Sequence, residues 1–381
     1  MRIAIIQGAF LPVPAIRGGA VEKMWFSLGK EFARRGHEVV HFSRKVDGLP
    51  RSEVIDLVSH IRISGFDTPK SGLLLKLCDL MYTLKVRNAM PTGFDVVISN
   101  TFWAPILLSG KNRRVCLVDV ERMPKGQMRW YQSIARLRAT STPVAEAIRR
   151  ETPAHLHDKV VVIPSPLPFT PSESVDYQQK KPVILYAGRI HPEKGLDVLI
   201  KAFRQTDQRY RLQLVGPWDV AVGGGGKAYF DSLKQLAGDA AIDFVGPIYD
   251  IDALNKFYTD AAVFVYPSLA DRGETFGLAP LEAMAWGCVP IVSKVACFQD
   301  FITPGENGLL FDHCSPDAVQ QLAGLISRIQ EEDELRQQLA ENALKVRKTH
   351  SIQHIATRFL KEFQGIVGQT SQYNANEPVH A

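Results

Sequence analysis

Long apolar runs are scarce in this sequence, although 45% of its 381 residues are hydrophobic. The first residues, Met-Arg-Ile-Ala-Ile-Ile-Gln, form an apolar run that stops at Gly8 and lacks a small-residue cleavage site. We therefore expect a first strand there and no signal peptide. No apolar stretch reaches the about 20 residues that a membrane-spanning helix needs. These absences predict a cytoplasmic protein.

Cysteine is rare as well, and its spacing excludes a disulfide framework and a paired zinc-ligand motif. Five cysteines are present, an odd number without paired spacing, and most have apolar neighbours, as in a reducing compartment. Gly-x-Ser-x-Gly, Walker and Gly-x-Gly-x-x-Gly motifs are also missing. One Asp-x-Asp pair, Asp250 to Asp252, opens an amphipathic segment where an Asp is a natural helix cap. We predict no metal and no cofactor.

Acidic residues are few in the first half of the chain. Residues 1–166 hold 25 Lys and Arg against 14 Asp and Glu, a net charge of +11, while residues 167–381 carry −6. A diffuse basic field of this kind favours an anionic acceptor or the anionic inner face of a membrane. Nucleic acid is not expected, because no recognition motif accompanies the charge. An ordinary solvated basic surface is the alternative.

The chain is too long for one hydrophobic core, so two domains are expected. A Pro- and Ser-rich linker between Ile163 and Val183 sets their boundary at 166/167. Apolar runs alternate with amphipathic segments on both sides, which predicts an α/β fold with parallel sheets. The first-half segments are Ile3–Ile6, Val21–Arg35, Glu38–Phe42, Asp95–Ile98, Arg114–Val118 and Val160–Ile163, and the second half restarts with the strand Val183–Ala187.

The stretch from Glu274 to Pro290 carries the clearest functional signal. It predicts a loop that becomes a helix, with the free N–H groups from about Phe276 to Ala279, including Gly277 and Leu278, facing an anion such as a phosphate. Glu274 lies just before this helix and Glu282 about one turn inside it. A carboxylate accepts two hydroxyl donors, so Glu282 suits a ribose diol and Glu274 the hydroxyls of a transferred sugar. Simple complementing of the helix dipole is the alternative for either residue.

Two cations follow the first strand of the second half. Arg189 and Lys194 are five positions apart in a Gly-bounded loop between that strand and a helix, so both can reach one diphosphate. We expect them, with the amides near Gly277, to stabilise a leaving diphosphate.

The spacing Glu274-x7-Glu282 resembles the signature of retaining GT-B glycosyltransferases of glycosyltransferase family four. The similarity runs from the Gly18-Gly19 loop to about Phe363. It implies two facing Rossmann-like domains with a cleft between them, covering residues 1–166 and 167–349. It also implies a helix at about 350–366 that packs back on the first domain, and we expect a disordered tail over 368–381. The implied activity is transfer of a sugar from a nucleotide-sugar donor to an acceptor hydroxyl with retention and without metal.

The resemblance also implies roles for backbone at the donor site. Gly18 and Gly19 match the family's glycine-rich loop, which meets the donor diphosphate and the acceptor. Backbone at Gly246 and Ile248, after a strand, would hold the nucleotide base, and Gly216 would lie on the same donor side.

On the acceptor side the sequence departs from the family, which carries a histidine where Asn100 stands here. The polar residues Asp119, Glu121 and Arg122, at the end of another strand, become the candidates for contact with an acceptor that is anionic or lipid-linked. A structural role for these charges is the alternative.

A helix from Ser71 to Asn88 would place Leu73, Leu77, Leu80, Met81 and Leu84 on one face, with Lys76, Asp79 and Thr83 opposite. That face predicts either a core helix or a membrane-surface helix. Two other functions stay open for the whole chain, a nonhydrolysing sugar-nucleotide epimerase and a non-catalytic relative of the same fold. The epimerase would need cleft carboxylates and a histidine, and the non-catalytic relative would be expected to lose one of the four charged donor residues.

Overall fold

The computed structural model describes residues 1–171 and 174–376. Two compact units make up the chain. The first comprises Met1–Pro168 and the segment from Ile352 onward, and the second comprises Phe169–Ser351. These divisions lie two residues after each of the boundaries expected from the sequence, 166/167 and 349/350.

The first unit is built on a sheet of order β3-β4-β2-β1-β5-β6-β7-β8, parallel except for the antiparallel pair β3–β4. The strands are β1 (Arg2–Ile6), β2 (Glu38–Lys45), β3 (Ser52–Ile55), β4 (Val58–Ser64), β5 (Val96–Ser99), β6 (Cys116–Val120), β7 (Arg136–Ala139) and β8 (Val160–Val162). Helices of this unit are α1 (Ala20–Arg34), α2 (Gly72–Ala89), α3 (Ala104–Leu107), α4 (Gly110–Arg114) and α5 (Thr142–Glu151).

Burial explains why the central strands could be predicted. Ile3, Ala4, Ile5 and Ile6 of β1 are wholly buried, as expected for a parallel strand that is covered on both faces and therefore reads as a continuous apolar run. The predicted first-half segments are confirmed to within a few residues. The β3–β4 hairpin and β7 were not predicted, because half of the residues of β3 and β7 are polar or charged.

The α2 helix has the opposite orientation to the one that its leucines suggested for a core helix. Leu73 is 82% exposed and Leu77 49% exposed, while Asp79, Tyr82 and Thr83 are buried. The helix is fixed by its polar face, because the Phe102 N–H donates to the Asp79 carboxylate at 3.0 Å. Burial raises the pKa of Asp79 to about 6. The core-facing interpretation of the leucine stripe is therefore wrong.

The second unit contains a fully parallel sheet of order β11-β10-β9-β12-β13-β14. Its strands are β9 (Lys181–Ala187), β10 (Arg211–Val215), β11 (Ile242–Gly246), β12 (Ala261–Tyr266), β13 (Val289–Ser293) and β14 (Leu309–Phe311). The helices are α6 (Leu196–Phe203), α7 (Gly226–Ala237), α8 (Ile251–Asp260), α9 (Leu278–Ala285), α10 (Ala318–Glu331), α11 (Asp333–Ala343) and α12 (Val346–Thr349).

The last helix, α13 (Ile352–Asn376), belongs to the first unit. Its Phe359 packs against Trp25 of α1, with ring centroids 5.0 Å apart. The disordered tail expected from residue 368 is wrong for residues 368–376, which are helical. The Gln369 side chain accepts a hydrogen bond from Arg136 at 3.1 Å, so the helix is still attached to the unit beyond Gly368. Residues 377–381 lie outside the described part of the chain.

Two buried histidines lie side by side on the first sheet. His41 of β2 and His60 of β4 are paired across the strands, and their rings stack at 5.4 Å. Burial is the main cause that lowers both pKa values, to about 4 for His60 and well below the usual value for His41. Arg62 lowers both further.

We expect the free energy of unfolding to fall as the pH drops from about 6.5 toward about 4. In that pH window the two histidines are protonated in the unfolded chain but stay neutral in the folded protein. Each histidine therefore lowers the free energy of unfolding by about 1.4 kcal/mol per pH unit. Urea denaturation at several pH values measures the effect. His60→Gln should flatten the dependence, while His155→Gln, at an exposed histidine, should leave it unchanged. Equal slopes for wild type and His60→Gln would contradict the assignment.

Candidate functional site

The strand order of the second sheet determines where a site can form. Counted along the chain, its strands follow the order 3-2-1-4-5-6, and the direction reverses between β9 and β12. Loops leaving the carboxyl ends of such neighbouring strands diverge, and ligands bind in the crevice between them. The loop after β9 carries Arg189 and Lys194, and the loop after β12 carries Glu274.

Glycine is required where these strands end. Gly216 follows β10 with φ 147°, and a Cβ there would lie 1.8 Å from the Gly188 carbonyl oxygen after β9. Its N–H donates to the carbonyl of Gly246, at the end of β11, at 2.9 Å. Three neighbouring strands therefore end in glycines that bring their backbones close together. Gly216 and Gly246, both predicted on the donor side, lie at this edge.

An ion pair between Lys194 and Glu274 joins the two loops. The Lys194 ammonium donates to the Glu274 carboxylate, and the two side chains are only 8% and 10% exposed. Ser268 and Tyr266 also donate to Glu274 through their hydroxyls, at 2.9 and 3.2 Å. Buried charges of this kind persist only when paired and hydrogen-bonded. The structure brings these two predicted residues into direct contact, which the sequence did not indicate.

Arg189 lies more openly on the same edge, with a side chain 45% exposed. Its guanidinium donates to the Gly223 carbonyl and to the Glu193 carboxylate, each at 2.8 Å. A guanidinium has five N–H donors, so these two bonds orient it and leave donors for an anion.

Gly277 is the N-cap residue immediately before α9, at the helix start that the sequence predicted. Its φ is 98°, and a Cβ would lie 2.5 Å from the Phe298 ring, so this position needs glycine. No side chain of the described residues caps the helix. The first N–H groups, beginning with Leu278, therefore point beyond the helix end, where the dipole favours an anion. Phe276, which precedes them, is buried against Phe301 with centroids 5.5 Å apart.

Glu282 lies inside α9 and is half-buried. Its carboxylate accepts a hydrogen bond from the Tyr258 hydroxyl at 3.2 Å. Burial, followed by the Glu282 charge, raises the pKa of Tyr258 well above its usual value. This phenol therefore stays protonated and holds one carboxylate oxygen in place.

Ile248 follows β11 and is half-buried. Next to it, Asp250 accepts a hydrogen bond from the Ala253 N–H at 2.8 Å and so caps α8. The prediction that this aspartate is a helix cap is confirmed.

In the first unit, the predicted glycine-rich loop leads into α1. Gly18 and Gly19 have φ angles of 81° and 106°, which residues other than glycine rarely adopt. Asn100 follows β5, and its side-chain amide donates to the Ile6 carbonyl at 3.3 Å. It therefore lies at the ends of β1 and β5, where the strand order of the first sheet also reverses.

Asp119 and Glu121 are engaged inside the first unit. Both pair with Arg138, whose guanidinium is fully buried, and Asp119 also accepts a hydrogen bond from the Trp25 indole at 2.7 Å. Burial raises the pKa of Glu121, and Arg138 opposes that rise. For these two acids the alternative of a structural role describes the arrangement better than contact with an acceptor. Arg122 is exposed and stays a candidate.

Several residues of these arrangements were not predicted from the sequence. Arg138 reads as an ordinary charge in a short strand, and Ser268 and Tyr266 carry no motif. Glu193 could have been found from the sequence, because a glutamate four positions after Arg189 can pair with it.

The described residues contain no helix of sufficient length and apolar character to cross a bilayer.

Comparison with protein families finds a match within the second half of the chain. Residues 172–346 match the family described as glycosyl transferases group 1. A D-inositol 3-phosphate glycosyltransferase of Nocardioides sp. is 31% identical over 196 residues, which cover 48% of this chain and 41% of that protein. The chain spans less than half the length of the first curated relatives that it matches.

Solved structures extend the similarity over both units. Sucrose-phosphate synthase from Thermosynechococcus elongatus has a TM-score of 0.75 at 22% identity, covering 97% of this chain and all of that one. The Anabaena protein Alr3699/HepE, solved in complex with UDP-glucose, has a TM-score of 0.66 at 19% identity over 96% of this chain and 100% of that one. At such identities the likeness concerns the fold, which is the GT-B fold that the sequence predicted.

Proposed function

We propose that this protein, whose residues 172–346 match the family of glycosyl transferases group 1, moves a sugar from a nucleotide-sugar donor to an acceptor hydroxyl with retention. The observation that carries the proposal is the cluster at the carboxyl edge of the second sheet. There, Arg189, the Lys194–Glu274 pair and the first amides of α9 come from the two loops at the strand-order reversal.

The donor diphosphate would lie against Arg189 and the α9 amides. Arg189 offers a planar fork for two phosphate oxygens, and the helix end adds uncharged donors. Lys194 donates to Glu274 with one N–H, and its ammonium has two further protons for a phosphate. These groups can balance the charge that develops on the leaving diphosphate, so we propose that no divalent metal is needed there.

The two glutamates would position the sugar and the ribose. Glu274 is held by Lys194, Ser268 and Tyr266, which fixes its carboxylate for the hydroxyls of the transferred sugar. Glu282 accepts a hydrogen bond from the Tyr258 hydroxyl, and its carboxylate would also accept the hydroxyls of a ribose diol. For the retaining step we favour a front-face reaction through an oxocarbenium-like state, with the leaving phosphate helping to deprotonate the acceptor.

The acceptor would meet the basic first unit, and we propose that this unit also rests on an anionic membrane through α2. Its exposed stripe of Leu73, Leu77, Met81 and Leu84 is accompanied by exposed Lys70, Lys76, Lys85 and Arg87. Apolar side chains beside basic ones are the composition of helices that lie in the plane of an anionic bilayer surface. A lipid-linked acceptor would be reached from that surface.

Donor binding should survive removal of metal ions, because cations and amides of the protein hold the diphosphate. Thermal shifts with UDP-, GDP-, ADP- and dTDP-sugars in excess chelator would identify the nucleotide, and calorimetry with that donor would measure the affinity. Affinity should be the same with chelator and with added Mg²⁺. Loss of binding on chelation that added Mg²⁺ restores would contradict the metal-independent site, and no shift with any donor would contradict the function.

Kinetics of two variants should separate the roles of Arg189 and Glu282. Arg189→Ala removes a donor aimed at charge that grows in the transition state, so kcat should fall by about 100- to 1000-fold. Glu282→Ala removes a contact made in both ground and transition states. It should therefore raise the donor KM by a factor equivalent to about 2–3 kcal/mol of binding free energy and change kcat much less.

The matched control is Arg211→Ala, which breaks an exposed pair with Asp243 at the amino end of β10, the opposite edge of the same sheet. It should leave kcat and KM unchanged. A Glu282→Ala protein that binds donor normally but does not turn over would reverse the assigned roles.

Docking on lipid should depend on both the leucines and the charge. Wild-type protein should co-sediment with vesicles containing anionic lipid, and less so as salt rises. Leu73→Ser with Leu77→Ser should reduce recovery, whereas Val54→Ser, at a side chain 69% exposed on β3, should not. Equal recovery with neutral and anionic vesicles would contradict the proposal.

A further inference from the structure

We propose that Asp271, His313 and Cys314 form a binding site for a divalent cation of the zinc class. Asp271 lies in the loop between β12 and α9, and His313 and Cys314 lie in the turn after β14. One ligand atom from each lies within 4.8 Å of the others. The Asp271 carboxylate is 3.0 Å from His313 Nε2. Because both segments follow parallel strands, the fold brings them to the same edge of the sheet.

The three donor groups select the type of ion. Thiolate and imidazole groups bind zinc in preference to magnesium or calcium, and a carboxylate is the third common ligand of zinc. A thiolate and a carboxylate carry two negative charges, which balance a divalent cation. Tetrahedral zinc with bonds of about 2.0–2.3 Å keeps ligand atoms about 3.3–3.8 Å apart. The Asp271 side chain is 63% exposed, so it can make the small movement required, and water can take the fourth position.

The state of His313 and Cys314 supports a ligand role. The His313 side chain is only 5% exposed, and its Nδ1 has no hydrogen-bond partner among the described residues. The fold therefore buries an imidazole without filling its hydrogen-bonding capacity. Cys314 is the exposed member of the five cysteines, and its N–H donates to the Asp312 carboxylate at 3.0 Å, which fixes the turn.

The site goes beyond the proposed transfer reaction, because the donor diphosphate is not among its ligands. It also bears on the donor loop, since Asp271 precedes Glu274 by three residues. A cation held by all three residues would fasten the loop over residues 267–277 to the turn after β14. The site would then stabilise the loop mechanically, with no part in the chemistry.

Calorimetry with zinc chloride on the full chain, stripped with chelator and dialysed, tests the site. One ion should bind per chain, and Cys314→Ser or Asp271→Asn should weaken binding by about 100-fold or more. Asp239→Asn, at an exposed carboxylate elsewhere on the unit, should bind as wild type. With Co²⁺ in place of zinc, a thiolate charge-transfer band should appear and be lost in Cys314→Ser.

Hydrogen exchange provides a readout that needs neither donor nor turnover. Zinc should slow amide exchange over residues 267–277 in the wild type and leave it unchanged in Cys314→Ser. Absence of stoichiometric zinc binding, or equal affinity in wild type and Cys314→Ser, would overturn the proposal. Because the variant alters one exposed side chain, an unchanged melting temperature without metal would show that it folds.

Discussion

The ion pair between Lys194 and Glu274 is the interaction on which the candidate site depends. It joins the loops that leave β9 and β12, and backbone contacts reinforce the junction. The Leu269 N–H donates to the Glu193 carbonyl at 2.8 Å, and a Cβ at Gly195 would lie 2.1 Å from the Pro267 carbonyl oxygen. Removing two charges from water is costly unless they pair and gain further hydrogen bonds. The hydroxyls around Glu274 supply those bonds, so the pair can hold two loops in one geometry.

The first unit contains a second buried ionic cluster with a different consequence. Arg138 is buried between Asp119 and Glu121, and it also donates to the Ile163 carbonyl at 2.6 Å. Its guanidinium lies 5.6 Å from the ring of Phe359 in α13. The cluster therefore connects β6, β7 and the last helix of the chain. Charged residues near the end of a strand can either bind a ligand or pair with one another inside the unit. Here Asp119 and Glu121 pair with Arg138 inside the unit.

Much of the fold could be predicted from the sequence, because burial in parallel sheets leaves a clear pattern of apolar runs. Ile3–Ile6 of β1 and Val183–Ala187 of β9 are buried apolar runs, and Gly8 and Gly188 follow them closely. Gly216 was assigned to the donor side through the family resemblance, and Gly277 was assigned as part of a helix start. The structure shows that a Cβ at either position would clash with a neighbour, so each position requires glycine. The partners of charged side chains were not predictable in the same way. Lys194 and Glu274 are 80 positions apart, and no periodicity relates two loops that meet only through strand order. The same limit concealed Arg138 and the contact between Asp271 and His313.

The α2 helix shows why an apolar stripe alone does not identify the buried face. Its inward residues Tyr82 and Val86 are also apolar and are 0% and 1% exposed, so the helix carries two apolar faces. Which of the two faces is buried is decided by polar groups that need hydrogen-bond partners. The Asp79 carboxylate receives the Phe102 N–H, and the Trp103 indole donates to the Lys76 carbonyl at 2.8 Å. These bonds fix the rotation of the helix, and exposure of the leucines follows from them. A leucine stripe left in water has an unfavourable hydration free energy, and its retention beside lysines is what a surface-binding role would explain.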